Sequence, residues 1–83
     1  MMKKIIAGNW KQNGTLKSSI SLTRSIIRSV SKYKYRHDII IFPPSIFLLP
    51  IKDLVSKKRI KIGSQNVSAY NNGAYTGEIS ASM

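Results

Sequence analysis

Short apolar runs alternate along this chain with longer segments in which apolar residues recur at helical spacing. Residues 4–10 read as a strand, because Ile5, Ile6 and Ala7 form an apolar block closed by Gly8 and Asn9. The polar run Lys11-Gln12-Asn13-Gly14 follows as a loop. From Thr15, a residue type suited to an N-cap, Leu16, Ile20, Ile27 and Val30 recur at spacings that place them on one helical face. Lys17, Arg24 and Arg28 take the opposite side as a solvated face, where Arg24 and Arg28 repel as like charges one turn apart by about 0.2–0.5 kcal/mol.

After a polar connection over residues 32–37, Asp38-Ile39-Ile40-Ile41-Phe42 is a second strand ended by Pro43-Pro44. Its unbroken apolar run predicts a parallel strand covered on both faces. Ser45 is placed to cap a second helix reaching Val55, with Ile46, Leu49 and Leu54 as inner positions and Pro50 kinking it or splitting it into two short turns. Residues 60–65 form a third strand. Residues 66–77 are then a polar, turn-rich loop around Asn71-Asn72-Gly73, of a length that is usually functional or disordered. Strand, helix, strand, helix, strand is the order of an α/β fold with a parallel sheet and right-handed crossovers, and no second domain is visible.

Composition narrows the function classes. At 83 residues the chain is one small domain at most, and 14 Lys and Arg against 3 acids give a net charge of +11. With 42% hydrophobic residues it is not a disordered basic tail. The absence of cysteine excludes disulfides, thiolate zinc sites and cysteine nucleophiles. There is no apolar run of bilayer length and no signal-length apolar segment at the start, so the expectation is a cytoplasmic protein without membrane contact. Asp38 and Asp53 fall at opposite ends of the unit and do not form a carboxylate pair, and no metal constellation is visible. His37, the one histidine, sits in a basic connector and reads as a surface residue.

A basic anion- or nucleic-acid-binding module is the alternative reading. Lys57-Lys58-Arg59 with Lys61, alongside Tyr33 and Tyr35, has the makings of a phosphate-binding stripe with stacking aromatics. No RNA- or DNA-binding motif supports it, and a solvated charge run is the plainer account.

In folds of this class, ligands bind at the C-terminal ends of the strands. Those ends carry Asn9-Trp10-Lys11, Phe42-Pro43-Pro44-Ser45 and Gln65-Asn66. An ammonium such as that of Lys11 can hold a phosphate there and stabilise a developing oxyanion. Asn9, two residues earlier on the same side of the strand, adds an amide donor. On spacing alone, Lys11 reads as a solvated loop lysine, and no enzyme follows from it.

The residues around Lys11 nevertheless form a recognisable signature. Gly8-Asn9-Trp10-Lys11-Gln12-Asn13-Gly14 closely resembles the first-strand motif of triose-phosphate isomerases. Pro44-Ser45, Ser64-Gln65-Asn66 and Gly73-Ala74-Tyr75-Thr76-Gly77-Glu78-Ile79-Ser80 resemble later segments of that family in order and spacing, so the likeness spans nearly the whole chain.

This resemblance implies a partial (β/α)8 TIM barrel: the first two βα units, the third strand and its long loop. A complete barrel takes roughly 250 residues. Residues 1–83 would therefore be the incomplete N-terminal third of a single domain. It implies that Lys11 is catalytic and that Asn9 and Lys11 bind a small phosphorylated triose. Lys11 would offset negative charge on the substrate and on the enediolate, while Trp10 points away as a structural residue. It also implies an isomerase of glycolysis and gluconeogenesis that needs no cofactor or metal and works as a homodimer. Gln65, Thr76 and Glu78 would belong to the loop entering the partner subunit, with Thr76 buttressing the other site and Glu78 in a structural ion pair.

Two departures stand out, Gln12 where the family has Met and Ala81-Ser82 where it has Pro-Ala. The family's glutamate base, histidine electrophile and lid loop lie downstream of this region. The expectation is an inactive chain, a split or decayed gene product or one completed by a C-terminal polypeptide. Its stability is expected to be poor, because a three-stranded sheet cut from a barrel exposes two edges and one inner face.

Overall fold

The computed structural model describes residues 2–34 and 37–83. Tyr35 of the basic stripe lies outside the described residues. Five main elements follow in the expected order: β1 (Ile5–Asn9), α1 (Leu16–Ser31), β2 (Asp38–Phe42), α2 (Leu48–Val55) and β3 (Ile60–Ile62). The strands form one parallel sheet in the order β1-β2-β3, with Ile6 opposite Ile39 and Ile39 opposite Ile60. β1 is one residue shorter at each end than the sequence pattern suggests, yet Asp38 N–H still donates to Lys4 O at 3.0 Å and Trp10 N–H to Phe42 O at 3.1 Å.

α1 begins where its cap chemistry dictates. Thr15 Oγ1 accepts from Ser18 N–H at 3.1 Å and Ser18 Oγ accepts from Thr15 N–H at 2.8 Å, a reciprocal box that satisfies two otherwise orphaned donors. The inner face of α1 runs through Ser19, Thr23 and Val30 with Ile20, Ile26 and Ile27 beside them. Thr23 is fully buried because its Oγ1 donates to Ser19 O at 2.7 Å within the helix, which removes the cost of an unpaired hydroxyl. Leu16 lies outside this core: it is in the first turn and 47% exposed.

The second helical segment departs from the expected phase. A 3-10 turn occupies Ser45–Phe47, and no side chain caps it or α2, so Ser45 is not the N-cap the sequence suggests. Because this turn winds more tightly than an α-helix, it rotates every following position. Ile46 and Leu49 are consequently 79% and 70% exposed, and α2 buries Ile51 and Val55 instead. Pro50 falls in the first turn of α2, where its missing N–H costs no helical bond.

The core is a small cluster of Val30, Ile41, Ile51, Val55 and Ile60, with Trp10, Ile39, Phe47, Leu54 and Ile62 against it. It lies on the helix side of the sheet. β2 is thus not covered on both faces as expected: Ile41 is buried, whereas Asp38, Ile40 and Phe42 are only half-buried. Strand alternation puts Asn9, Phe42 and Gly63 on the other face, where the Phe42 ring lies so close over Gly63 that it leaves no room for a Cβ there.

At the N-terminal end of the same face, Asp38 Oδ1 lies 3.3 Å from Lys3 Nζ and 3.5 Å from Lys61 Nζ. Lys61 is therefore not part of a stripe with residues 57–59. The hydrogen bond from Lys3, with the charges of both lysines, outweighs partial desolvation and holds the Asp38 carboxyl below its ordinary 3.8. A depressed folded-state pKa stabilises the fold above the unfolded value and is lost as pH falls through the folded one. Urea midpoints should accordingly drop on acidification below about pH 5, and Asp38→Asn should flatten that part of the profile and converge with the parent chain in acid. Parallel profiles at all pH values would refute the pairing.

Candidate functional site

The C-terminal ends of the three strands meet through one side chain. Gln65, just beyond β3, donates through Nε2 to Phe42 O at 2.8 Å and to Lys11 O at 3.0 Å. Both partners are carbonyl oxygens, which fixes the orientation of the amide. Trp10 N–H donates to the same Phe42 carbonyl, and Asn13 Nδ2 donates to Trp10 O at 2.8 Å. The loop after β1 is thus fastened to the ends of β2 and β3.

Lys11 is the residue this network holds. Its backbone is in the left-handed region at φ 54°, a conformation that disfavours every residue with a Cβ. Asn9 supports it, its Oδ1 accepting from Lys11 N–H at 2.9 Å and leaving its Nδ2 to donate elsewhere. Simple strand alternation therefore does not set the direction of Lys11: β1 ends at Asn9, and the Asn9 side chain and the positive φ take over. Trp10 points toward the helices and packs on the core. Asn9, Lys11 and Gln65 are all exposed.

Gln65→Glu keeps the shape and removes both donated bonds, since a carboxylate only accepts. The expected loss is about 1–2 kcal/mol, read as a lower thermal midpoint. An unchanged midpoint would show that the tie contributes nothing to the loop.

Thr76 and Glu78 are not part of this cluster. They lie on the long excursion after Gln65, whose legs are joined where Ser68 N–H donates to Ile79 O at 2.8 Å. Within it, Tyr70 and Tyr75 stack with centroids 4.6 Å apart, and Gly73 and Gly77 take φ values of 131° and 86°. Thr76 is exposed. Glu78 N–H donates to Tyr75 O at 3.1 Å, and among the described residues the ion pairs are those of Asp38.

The remaining candidates lie elsewhere. His37 is at the opposite end of the sheet, its Nδ1 accepting from Lys4 N–H at 3.0 Å. Among the described residues there is no group of three potential metal ligands, and no helix is long and apolar enough to cross a membrane.

Parallel βα units joined in one sheet are the repeating unit of the β/α barrel class, and the amide-braced lysine lies at the strand C-terminal ends, where that class binds ligands. The chain belongs to the triosephosphate isomerase family, whose model matches residues 4–83. Its two βα units and third strand are an open part of that family's barrel.

The chain is 45% identical over 83 residues to the triosephosphate isomerase of Hahella chejuensis (strain KCTC 2396), covering 100% of this chain and 33% of that protein. Over the same length and shares it is 41% identical to that of Bacteroides fragilis (strain YCH46). It is 39% identical over 85 residues to that of Buchnera aphidicola subsp. Baizongia pistaciae (strain Bp), covering 100% of this chain and 34% of the relative. The chain thus spans about a third of the length of the curated relatives it matches.

Proposed function

We propose that residues 1–83 supply the substrate clamp of an isomerase that interconverts dihydroxyacetone phosphate and glyceraldehyde 3-phosphate. The observation that carries this reading is the backbone of Lys11, held in a disfavoured conformation at the strand ends by Asn9 and Gln65. From there its ammonium can balance the substrate phosphate and the oxyanion that forms when a base takes the proton from the carbon beside the carbonyl. The reaction shifts one proton between two carbons and one between the two oxygens they carry, with no net oxidation, and so requires no redox cofactor.

None of the three acids in the chain is placed to be that base. Asp38 is at the far end of the sheet, Asp53 is on α2 and Glu78 is on the long excursion. General acid–base catalysis is worth about 10²–10⁴-fold, so these 83 residues alone should not turn over substrate. We place the base on the portion of the relatives that this chain does not match, whether joined to it or on a separate polypeptide. Residues 65–80 are the surface for a second copy in a homodimer, and the setting is cytoplasmic sugar-phosphate metabolism in glycolysis and gluconeogenesis.

The test mixes the 83-residue chain with a polypeptide carrying the remaining two thirds of a relative and assays isomerisation. Each piece alone should be inactive and the mixture active. A co-eluting complex without activity would overturn the reading.

A further inference from the structure

We propose that the outer side of α1 and the turn before β3 form one basic surface that binds the phosphate backbone of nucleic acid, separate from the strand-end site. Lys17, Arg24 and Arg28 are exposed and line one open cleft on α1, beside Leu16 and Ile20. From Lys17 to Arg28 the stripe runs about 16 Å along the helix. Where α1 ends, a second cleft of about 220 Å³ is lined by Lys57, Lys58 and Arg59 over a floor of Ile27, Val30 and Ile60. Two segments remote in sequence thus place six cations along a single helix.

These cations are unneutralised and positioned. No acid lines either cleft, and among the described residues the ion pairs are those of Asp38 with Lys3 and Lys61. The turn carrying the second group is fixed by Lys57 at φ 63° and by Lys58 N–H donating to Val55 O at 2.9 Å.

A line of cations suits a polyanion better than a single small anion, because each added phosphate contact releases further counterions. An anionic membrane fits less well. An interfacial helix buries its apolar face in lipid, and here that face, Val30 with Ile26 and Ile27, is packed on the sheet.

Fluorescence anisotropy of labelled 20-nucleotide single strands and duplexes, titrated with the 83-residue chain at several salt concentrations, tests the surface. Six contacts predict a slope of log K against log salt of about −4 for the single strand and about −5 for the duplex. Arg24→Gln with Arg28→Gln should weaken binding about tenfold at low salt and reduce the single-strand slope by about 1.4. Lys57→Gln with Lys58→Gln should do the same without touching the helix.

Lys4→Gln with Lys52→Gln removes the same charge off the surface and should change binding less than about twofold. The arm bound more tightly at a given salt concentration identifies which nucleic acid fits, and either supports the proposal. Equal weakening by all three pairs would reduce the effect to net charge and overturn it. So would a flat salt dependence, or tighter binding to phosphatidylserine vesicles than to either nucleic acid.

Discussion

Lys11→Met should abolish isomerisation in an assembly of this chain with the remaining two thirds of a relative, lowering kcat by at least about 10²–10³. The variant removes the ammonium and keeps a side chain of similar length, so the loss reports charge rather than volume. A companion variant separates the side chain from its backbone. Lys11 sits at φ 54°, where a non-glycine residue costs about 1–2 kcal/mol. Lys11→Gly should therefore lose activity to the same extent without lowering the thermal midpoint, since glycine adopts that conformation freely. Strain of this kind persists where surrounding contacts over-determine it, as Asn9 and Gln65 do here. A Lys11→Gly variant that retains most of its activity would show that the loop's shape, and not the ammonium, is what matters.

Ile51→Ala should be the most destabilising of the simple core truncations. Ile51 is fully buried, in one cluster with Val30, Ile41, Val55 and Ile60, and removing three of its carbons costs about 2–5 kcal/mol in lost transfer energy and cavity formation. A complete domain of 83 residues would have about 4–12 kcal/mol of stability and an open part of a barrel less, so a large share rests on this one residue. Leu49→Ala is the matched control. Leu49 is on the same helix but 70% exposed, and its truncation should change the urea midpoint by less than about 0.5 kcal/mol equivalent. The reverse ranking would mean that α2 packs with the other face inward.

That contrast marks where local pattern stops being informative. β1, β2 and the start of α1 are legible because each is set by neighbours in sequence: an apolar block closed by Gly8 and Asn9, a run closed by Pro43, and Thr15 as a residue type suited to an N-cap. The inner face of α2 is not. The 3-10 turn at Ser45–Phe47 shifts the phase of everything after it, and the apolar residues of this segment fit either face. Thr23 escapes the pattern for another reason: a hydroxyl that bonds its own helix looks polar in sequence and behaves as core.

The site divides in the same way. Asn9 and Lys11 stand in a contiguous motif, and it is the resemblance of that motif to a family signature, not their spacing, that singles them out. By pattern Gln65 ends the third strand and by resemblance it opens the partner loop, yet its bonds reach back 23 and 54 residues to Phe42 and Lys11, and no local spacing encodes them. Composition groups Lys61 with its basic neighbours, although Ile60 and Ile62 on one face require it to be on the other, beside Asp38.

The most direct measurement is steady-state isomerisation by a chimera in which residues 1–83 replace the corresponding third of a relative. The folded chimera should turn over dihydroxyacetone phosphate, and its Lys11→Met version should not. A chimera that folds and associates as its parent does, yet shows no turnover, would contradict the claim that these residues carry the substrate clamp.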